Sequence, residues 1–223
     1  MTIADQSIDA FLGDVASTRV TPSGGAVAAV GGAMGAALCE MVCIHTIGHG
    51  DDRTTTDAAT GAAETAATHG RADVEATDPD FAALRNDFGD RRGRLLDLAD
   101  ADVAAVDAVG EAFAADVGAD RRHEAAKRAT EVPIETAATA RDVLADAVAV
   151  VEYGNRNAVP DGVTGAYLAH AAVRASAATV RANLDALADE PTATFAERAD
   201  AIEADADRAL AAVRSATAAP DRD

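Results

Sequence analysis

The sequence predicts an all-α fold, a single helical-bundle domain of about seven helices. Three observations point there. No segment alternates apolar and polar residues with period two, so no strand is indicated. Apolar residues instead recur at three- and four-residue spacing along most of the chain. Aromatic residues make up only 3% of the chain and Trp is absent, so the core is built from Ala, Val and Leu, which suits closely packed helices. With 223 residues, 49% of them hydrophobic, the chain is long enough to bury one sizeable core. No repeat or linker divides it. The domain is read as residues 1–216, with 217–223 a frayed tail.

The elements follow in order. Ala4, Ile8, Phe11, Leu12 and Val15 form one stripe, which predicts an amphipathic helix over residues 3–18. Thr21-Pro22-Ser23-Gly24-Gly25 is a turn and cap signal, and no charge follows it from Ala26 to Cys39. This predicts a second helix from Gly24 to Ile47, ended by Gly48 and Gly50. Gly31, Gly32 and Gly35 leave part of its surface almost free of side chains, so a neighbouring helix or a second subunit can pack close. A membrane span is the rival reading of this apolar stretch. Glu40 interrupts it, Gly and Ala dominate over Leu, and no positive flank follows, so a buried helix is expected.

A polar helix is expected from Asp52 to Ala76. Asp78 and Pro79 are read as the cap and first residue of the next helix, with a break near Gly89 to Gly93 and an end at Gly118. Residues 121–153 read as a helical stretch kinked or broken at Pro133. Gly154 to Gly162 reads as a loop. The last two helices run over 163–189 and 195–216, separated by Pro191.

The formal charge is −19, from 38 acidic and 19 basic residues, and Lys127 is the only lysine. Excess acid spread along periodic segments, with almost no lysine, looks like the halophilic surface of a protein from a salt-rich cytoplasm. No basic face suggests nucleic-acid binding. Asp5, Asp9 and Asp14 exclude a secretory signal at the start of this sequence, and two cysteines four apart on one apolar helix are not a disulfide framework.

Candidate chemistry lies in four places. Ser23, Gly24 and Gly25 stand at a helix start, where free N–H groups and partial positive charge favour an anion or a polar heterocycle. Arg121, Arg122, His123, Lys127 and Arg128 form the densest basic cluster. A solvated face uses the same residues, but a lone lysine in an arginine background suggests a task suited to a point charge of adjustable pKa. Gly154-Asn155-Arg156-Asn157 with Asp161 offers paired amides that both donate and accept, although a capping loop uses the same residues. Asp97, Asp100, Asp102 and Asp107 share one helix. Most of them read as surface acids; Asp102, between Ala101 and Val103, could point into the bundle, and if buried its pKa would rise and fit it for acid–base work. Cys39, Cys43, His45 and His49 read as small buried thiols and helix-end histidines rather than a metal site, because the two pairs face different directions.

In sequence order these motifs resemble the cyclodeaminase/cyclohydrolase family acting on one-carbon folates. The family's Pro-Gly-Gly-Gly-Ser-Val-Ala-Ala helix start is matched by Pro22-Ser23-Gly24-Gly25-Ala26-Val27-Ala28-Ala29. Its middle-helix aspartate is matched by Asp102, with Asp100 also possible by position, and its lysine segment by Ala126-Lys127-Arg128 leading to Val132-Pro133. Its Gly-Asn-x-Asn is matched by Gly154 to Asn157, and a late Asn-Leu pair by Asn183-Leu184. The departures are Ser23 for glycine, Ala26 for serine, and Pro160 and Gly162 around Asp161.

The resemblance implies a homodimer with substrate near the subunit interface and no metal or redox cofactor. It implies hydrolysis of 5,10-methenyltetrahydrofolate to 10-formyltetrahydrofolate, with cyclodeamination of 5-formiminotetrahydrofolate as the alternative. Asp102, Lys127 and Asp161 become the candidate catalytic residues. Ser23, Gly24, Gly25, Arg128, Asn155, Asn157 and Asn183 become the candidate substrate-binding residues. A helical scaffold without activity is the reading from a different class. Convergence of Lys127, Asp102 and the Asn155 loop in one pocket is the expectation that separates the two.

Overall fold

The computed structural model of the chain describes residues 2–57, 79–114, 118–187 and 192–218. Six α-helices account for nearly all of these residues: α1 (Ile8–Val15), α2 (Gly24–Asp57), α3 (Phe81–Ala114), α4 (Ala119–Tyr153), α5 (Val159–Asn183) and α6 (Thr192–Ala218). Short 3-10 turns occupy Ile3–Asp5 and Leu184–Leu187. No strand occurs among the described residues, as the sequence predicts.

α4 is the hub, packed on α2, α3, α5 and α6, while α2 packs chiefly on α3 and α5. The main core joins Val42 and Cys39 of α2, Phe88 and Leu95 of α3, Leu144 and Val150 of α4, Val173 and Val180 of α5, and Leu210 of α6. A second, smaller core lies under the start of α2 and joins Ile3, Phe11, Ala26, Ala29, Leu98, Ala99 and Val132. Small residues make the contacts possible. A Cβ on Gly35 would lie 2.6 Å from the Gly165 carbonyl oxygen of α5, and one on Gly32 would press on Leu95 and Ala172. Gly31 meets nothing within 4 Å and lies on the outer face instead.

Several boundaries differ from the sequence expectation. The first helix is two pieces, because Ser7 accepts the Ala10 N–H through its hydroxyl and starts α1 afresh. Of its stripe, Phe11 is buried while Ile8 and Leu12 are exposed. α2 passes through Gly48 and Gly50 and continues to Asp57, since glycine weakens a helix without being forced to end it. The rest of the expected polar helix to Ala76 lies outside the described residues. α3 is capped by Asp80, whose carboxylate accepts the Ala82 and Ala83 N–H groups at 3.0 Å; Asp78 lies outside the described residues. No break occurs at Gly89 to Gly93. Arg91, Arg92 and Arg94 of that segment reach Asp146, Glu40 and Glu135 of neighbouring helices and hold it in place.

α4 runs unbroken through Pro133. α5 begins at Val159, earlier than expected, because Pro160 fits the first turn of a helix. It ends at Asn183 and passes into the second 3-10 turn. α6 begins at Thr192 and carries Thr217 and Ala218 as helix, not as tail. One helix, residues 24–48, is long and apolar enough to cross a membrane, and half of it is buried against the other helices. Glu40, the residue that argued against a span, is paired with Arg92 at 2.9 Å.

Candidate active site

The start of α2 and the middle of α3 meet at Asp102, which is only 4% exposed. The sequence produces this contact in three ways. Ser23 ends the turn, and its carbonyl accepts the first helical N–H, from Val27. Small residues at Gly25, Ala26 and Ala29 let α3 come close. Leu98, Ala99 and Ala105 bury the same side of α3 as Asp102.

The carboxylate is held from one side. Its Oδ2 accepts the Ser23 hydroxyl at 2.9 Å and the Ala26 N–H at 2.8 Å. Oδ1 lies against α2, 2.0 Å from where a Cβ on Gly25 would stand. A Cβ on Gly25 would lie within 3.0 Å of all three carboxyl atoms, so glycine is required there. Burial pushes the Asp102 carboxyl above its ordinary range, and the Ser23 and Ala26 bonds oppose that rise. The positive end of the α2 dipole faces the same group. The result is a desolvated carboxyl held in place through Oδ2, which is suited to moving a proton.

Neighbouring aspartates do other work. Asp100 accepts the Ile3 N–H at 2.8 Å and Asp107 the Thr21 hydroxyl at 3.1 Å, so both tie down the N-terminal segment. Asp97 is exposed.

A cleft of about 510 Å³ opens between α3 and α4, lined by Ala108, Glu111, Ala112, Arg121, Glu124, Ala125 and Arg128. Arg128 also pairs with Glu135 at 3.1 Å, next to the Arg94–Glu135 contact. Lys127 is half-buried beside it in sequence and does not line the cleft. The cluster is thus a mixed-charge wall rather than a purely basic one.

The Asn155 loop is elsewhere. The Asn155 N–H donates to the Thr46 hydroxyl at 2.9 Å, and its side-chain amide donates to the His45 carbonyl at 3.3 Å. Its Oδ1 accepts the Asn157 N–H at 3.0 Å. A Cβ on Gly154 would meet Val42 at 2.9 Å, which seats the loop on α2. Asp161 is exposed in the first turn of α5, beside this loop. Thr46 lies twenty residues along α2 from Ala26, about 30 Å at 1.5 Å per residue. The expected convergence therefore does not occur within one chain, because the length of α2 separates Asp102 from Asn155, Asn157 and Asp161.

Asn183 donates its side-chain amide to the Ala129 carbonyl at 2.8 Å, an interaction that no sequence signal revealed. Cys39 and Cys43 are buried free thiols, pushed up to about 12 and about 11 chiefly by burial. No group of three metal-ligating side chains occurs among the described residues.

Comparison with known proteins bears directly on this arrangement. The sequence matches the formiminotransferase-cyclodeaminase family over residues 7–67 and 56–202. The chain belongs to that family. It is 33% identical over 201 residues to the methenyltetrahydrofolate cyclohydrolase of Methylorubrum extorquens, covering 86% of this chain and 85% of that protein. The crystal structure of formiminotetrahydrofolate cyclodeaminase from Thermotoga maritima superposes with a TM-score of 0.79 at 26% identity, covering 96% of each chain. Both the all-helical architecture and the family expected from the sequence therefore stand.

Proposed function

We propose that the protein is a methenyltetrahydrofolate cyclohydrolase, converting 5,10-methenyltetrahydrofolate to 10-formyltetrahydrofolate. The substrate class is supported by the likeness to the Methylorubrum extorquens cyclohydrolase. The observation that carries the chemistry is Asp102, buried and fixed through Oδ2 at the start of α2.

The bridging carbon between N5 and N10 is an electrophilic amidinium. Water adds to it, and the first water proton passes to Asp102. The tetrahedral carbon then collapses to the formyl group on N10 and the bond to N5 breaks. The proton held by Asp102 goes to N5, and the hydroxyl proton leaves to solvent. The electrophile is already activated in the substrate, so the reaction as written requires no metal or redox cofactor. Ser23, Gly24 and Gly25 frame the carboxylate, and Lys127 and Arg128 supply positive charge for the carboxylates of the folate tail.

Two copies complete the site. Val27, Gly31, Met34, Leu38, Met41 and Ile44 repeat every three or four residues on the outer face of α2, and Val27, Met34 and Ile44 are 40%, 47% and 50% exposed. Antiparallel pairing of this stripe about a twofold axis at its midpoint sets Ala26 of one copy against His45 of the other. The Asn155 loop of the second copy, with Asn157 and Asp161, then lies beside Asp102 of the first. The pairing is supported by the stripe and by the separation of the two residue groups within one chain. A cytoplasmic enzyme in concentrated salt fits the acidic surface and the two unpaired cysteines.

The decisive test follows the loss of methenyltetrahydrofolate absorbance in concentrated KCl. Wild type is expected to accelerate it, whereas Asp102→Asn and Asn155→Ala are each expected to be inactive. Mixed one to one and re-equilibrated, the two variants should recover about a quarter of wild-type activity, since half the dimers then hold one intact site of two. Failure of wild type on this folate with ammonia release from 5-formiminotetrahydrofolate would select cyclodeamination, the reading favoured by the Thermotoga maritima structure. Activity without recovery on mixing would remove the shared site.

A further inference from the structure

Proline at position 133 has no N–H, so the Ala129 carbonyl, four residues earlier in α4, has no intrahelical donor. The helix is nevertheless continuous from Ala119 to Tyr153. The nearby hydroxyls do not reach that carbonyl: Thr130 donates to Ala126 and Thr136 to Val132. The missing donor comes from another helix. Asn183, the last residue of α5, places its side-chain Nδ2 2.8 Å from the Ala129 oxygen.

We infer that Asn183 is a positioning residue, which acts on the reaction by fixing the turn of α4 that carries Lys127 and Arg128. The inference rests on the cyclohydrolase reading for its catalytic consequence. Pro133 opens a gap in the hydrogen-bond ladder of α4, and an amide from α5 fills it. The gap thereby fastens one helix to another at a defined point. Ala129 directly follows Arg128, which lines the α3–α4 cleft. Asparagine suits the position because its NH₂ donates where an ionised aspartate of the same shape does not. Asn183 is thereby moved from the substrate-binding set to the support of that set.

A double-mutant cycle tests the assignment. Asn183→Ala is made in wild type and in Pro133→Ala, where the new N–H at position 133 can reach the Ala129 carbonyl itself. In wild type, Asn183→Ala is expected to raise KM about fivefold while kcat stays within about twofold, the effect of losing one net hydrogen bond that aligns a binding group. Asn183→Asp should behave alike. In the Pro133→Ala background the same substitution should change KM by less than about twofold. An equal KM rise in both backgrounds would mean that Asn183 touches substrate directly and would overturn the inference. A fall in kcat at unchanged KM, or no effect in either background, would also overturn it. The same cycle run on Tm reads the Ala129 pairing without substrate, so inactive wild type would defeat the catalytic claim separately from the pairing.

Discussion

Replacing Gly25 by alanine puts the Asp102 clamp under direct strain. The added methyl would occupy space held by the carboxyl group, within 3.0 Å of its carbon and both oxygens. The obstacle is not the free end of a flexible chain. Asp102 is fixed by the Ser23 hydroxyl and the Ala26 N–H, and its short side chain has little room to swing. Moving it sacrifices two hydrogen bonds to a carboxylate, each about 1.5–3 kcal/mol. Pushing α3 away instead incurs an overpacking cost of about 1–3 kcal/mol. The cheaper route sets the outcome, so about 1–3 kcal/mol of stability should be lost. At roughly 2–4 °C per kcal/mol for a domain of this size, Tm should fall by about 2–12 °C.

A carboxylate displaced by about 1 Å should also slow turnover by about a hundredfold. For stability Gly24 is the internal control, because a Cβ there meets nothing within 4 Å. Gly24→Ala should be neutral or stabilising by up to about 1 kcal/mol, through a less flexible unfolded chain. Thermal unfolding by circular dichroism at fixed protein and KCl concentration gives the first readout, and decay of methenyltetrahydrofolate absorbance the second. If the two variants match in Tm, the close approach of Asp102 to α2 is wrong.

Three further outcomes are expected. Asp102→Asn should lower turnover by about 10²–10⁴-fold, the range for removing a general acid or base. The folded carboxyl lies above its unfolded value of 3.8, so its stabilising contribution is complete below that pH and is lost as pH rises through the folded value. Wild type should therefore lose stability relative to Asp102→Asn as pH rises through the acidic range. Urea titrations at several pH values check this, and the opposite slope would mean a paired rather than a desolvated carboxyl. Cys39 and Cys43, pushed up to about 12 and about 11, should resist a thiol reagent at pH 8 in the folded state and react fully in denaturant. With 38 acidic against 19 basic residues, Tm should climb with KCl and level off near about 1 M, where screening has shortened to about 3 Å; a flat response would contradict self-repulsion as the limiting term.

The fold was legible because its signals are local. Periodicity, caps and alanine content act within a turn or two of helix, so element type came through even where ends did not. Three missed starts have local causes in the Ser7 and Asp80 caps and in Pro160, whereas the two expected breaks that do not occur have tertiary ones. Gly89 and Gly93 read as a break, but Arg91, Arg92 and Arg94 between and beside them are tied to α2 and α4, and those contacts hold the segment helical. Pro133 reads as a break for the same reason: its orphaned carbonyl finds a donor 54 residues away, which no local pattern encodes. Asp102 was legible among four aspartates because small apolar neighbours marked its face. The Asn155 loop was legible as polar and special, but its place was not. Only the unbroken length of α2 shows that it lies at the far end of the bundle from Asp102.

The two departures from the family motif at the start of α2 bear on the same carboxylate. By resemblance, a glycine has become Ser23 and a serine has become Ala26, so one hydroxyl is lost and one gained three residues earlier. The gained hydroxyl donates to Oδ2 of Asp102, and what position 26 supplies to that oxygen is its backbone N–H, which any residue but proline carries. Ala26 is wholly buried beside α3, so a methyl fills its site and a hydroxyl there would need a partner of its own. The exchange keeps a hydroxyl at the helix start while making the buried position apolar. The hydroxyl at position 23 thus joins the Ala26 N–H on Oδ2, so two donors fix one oxygen of Asp102 while the buried position beside it stays apolar.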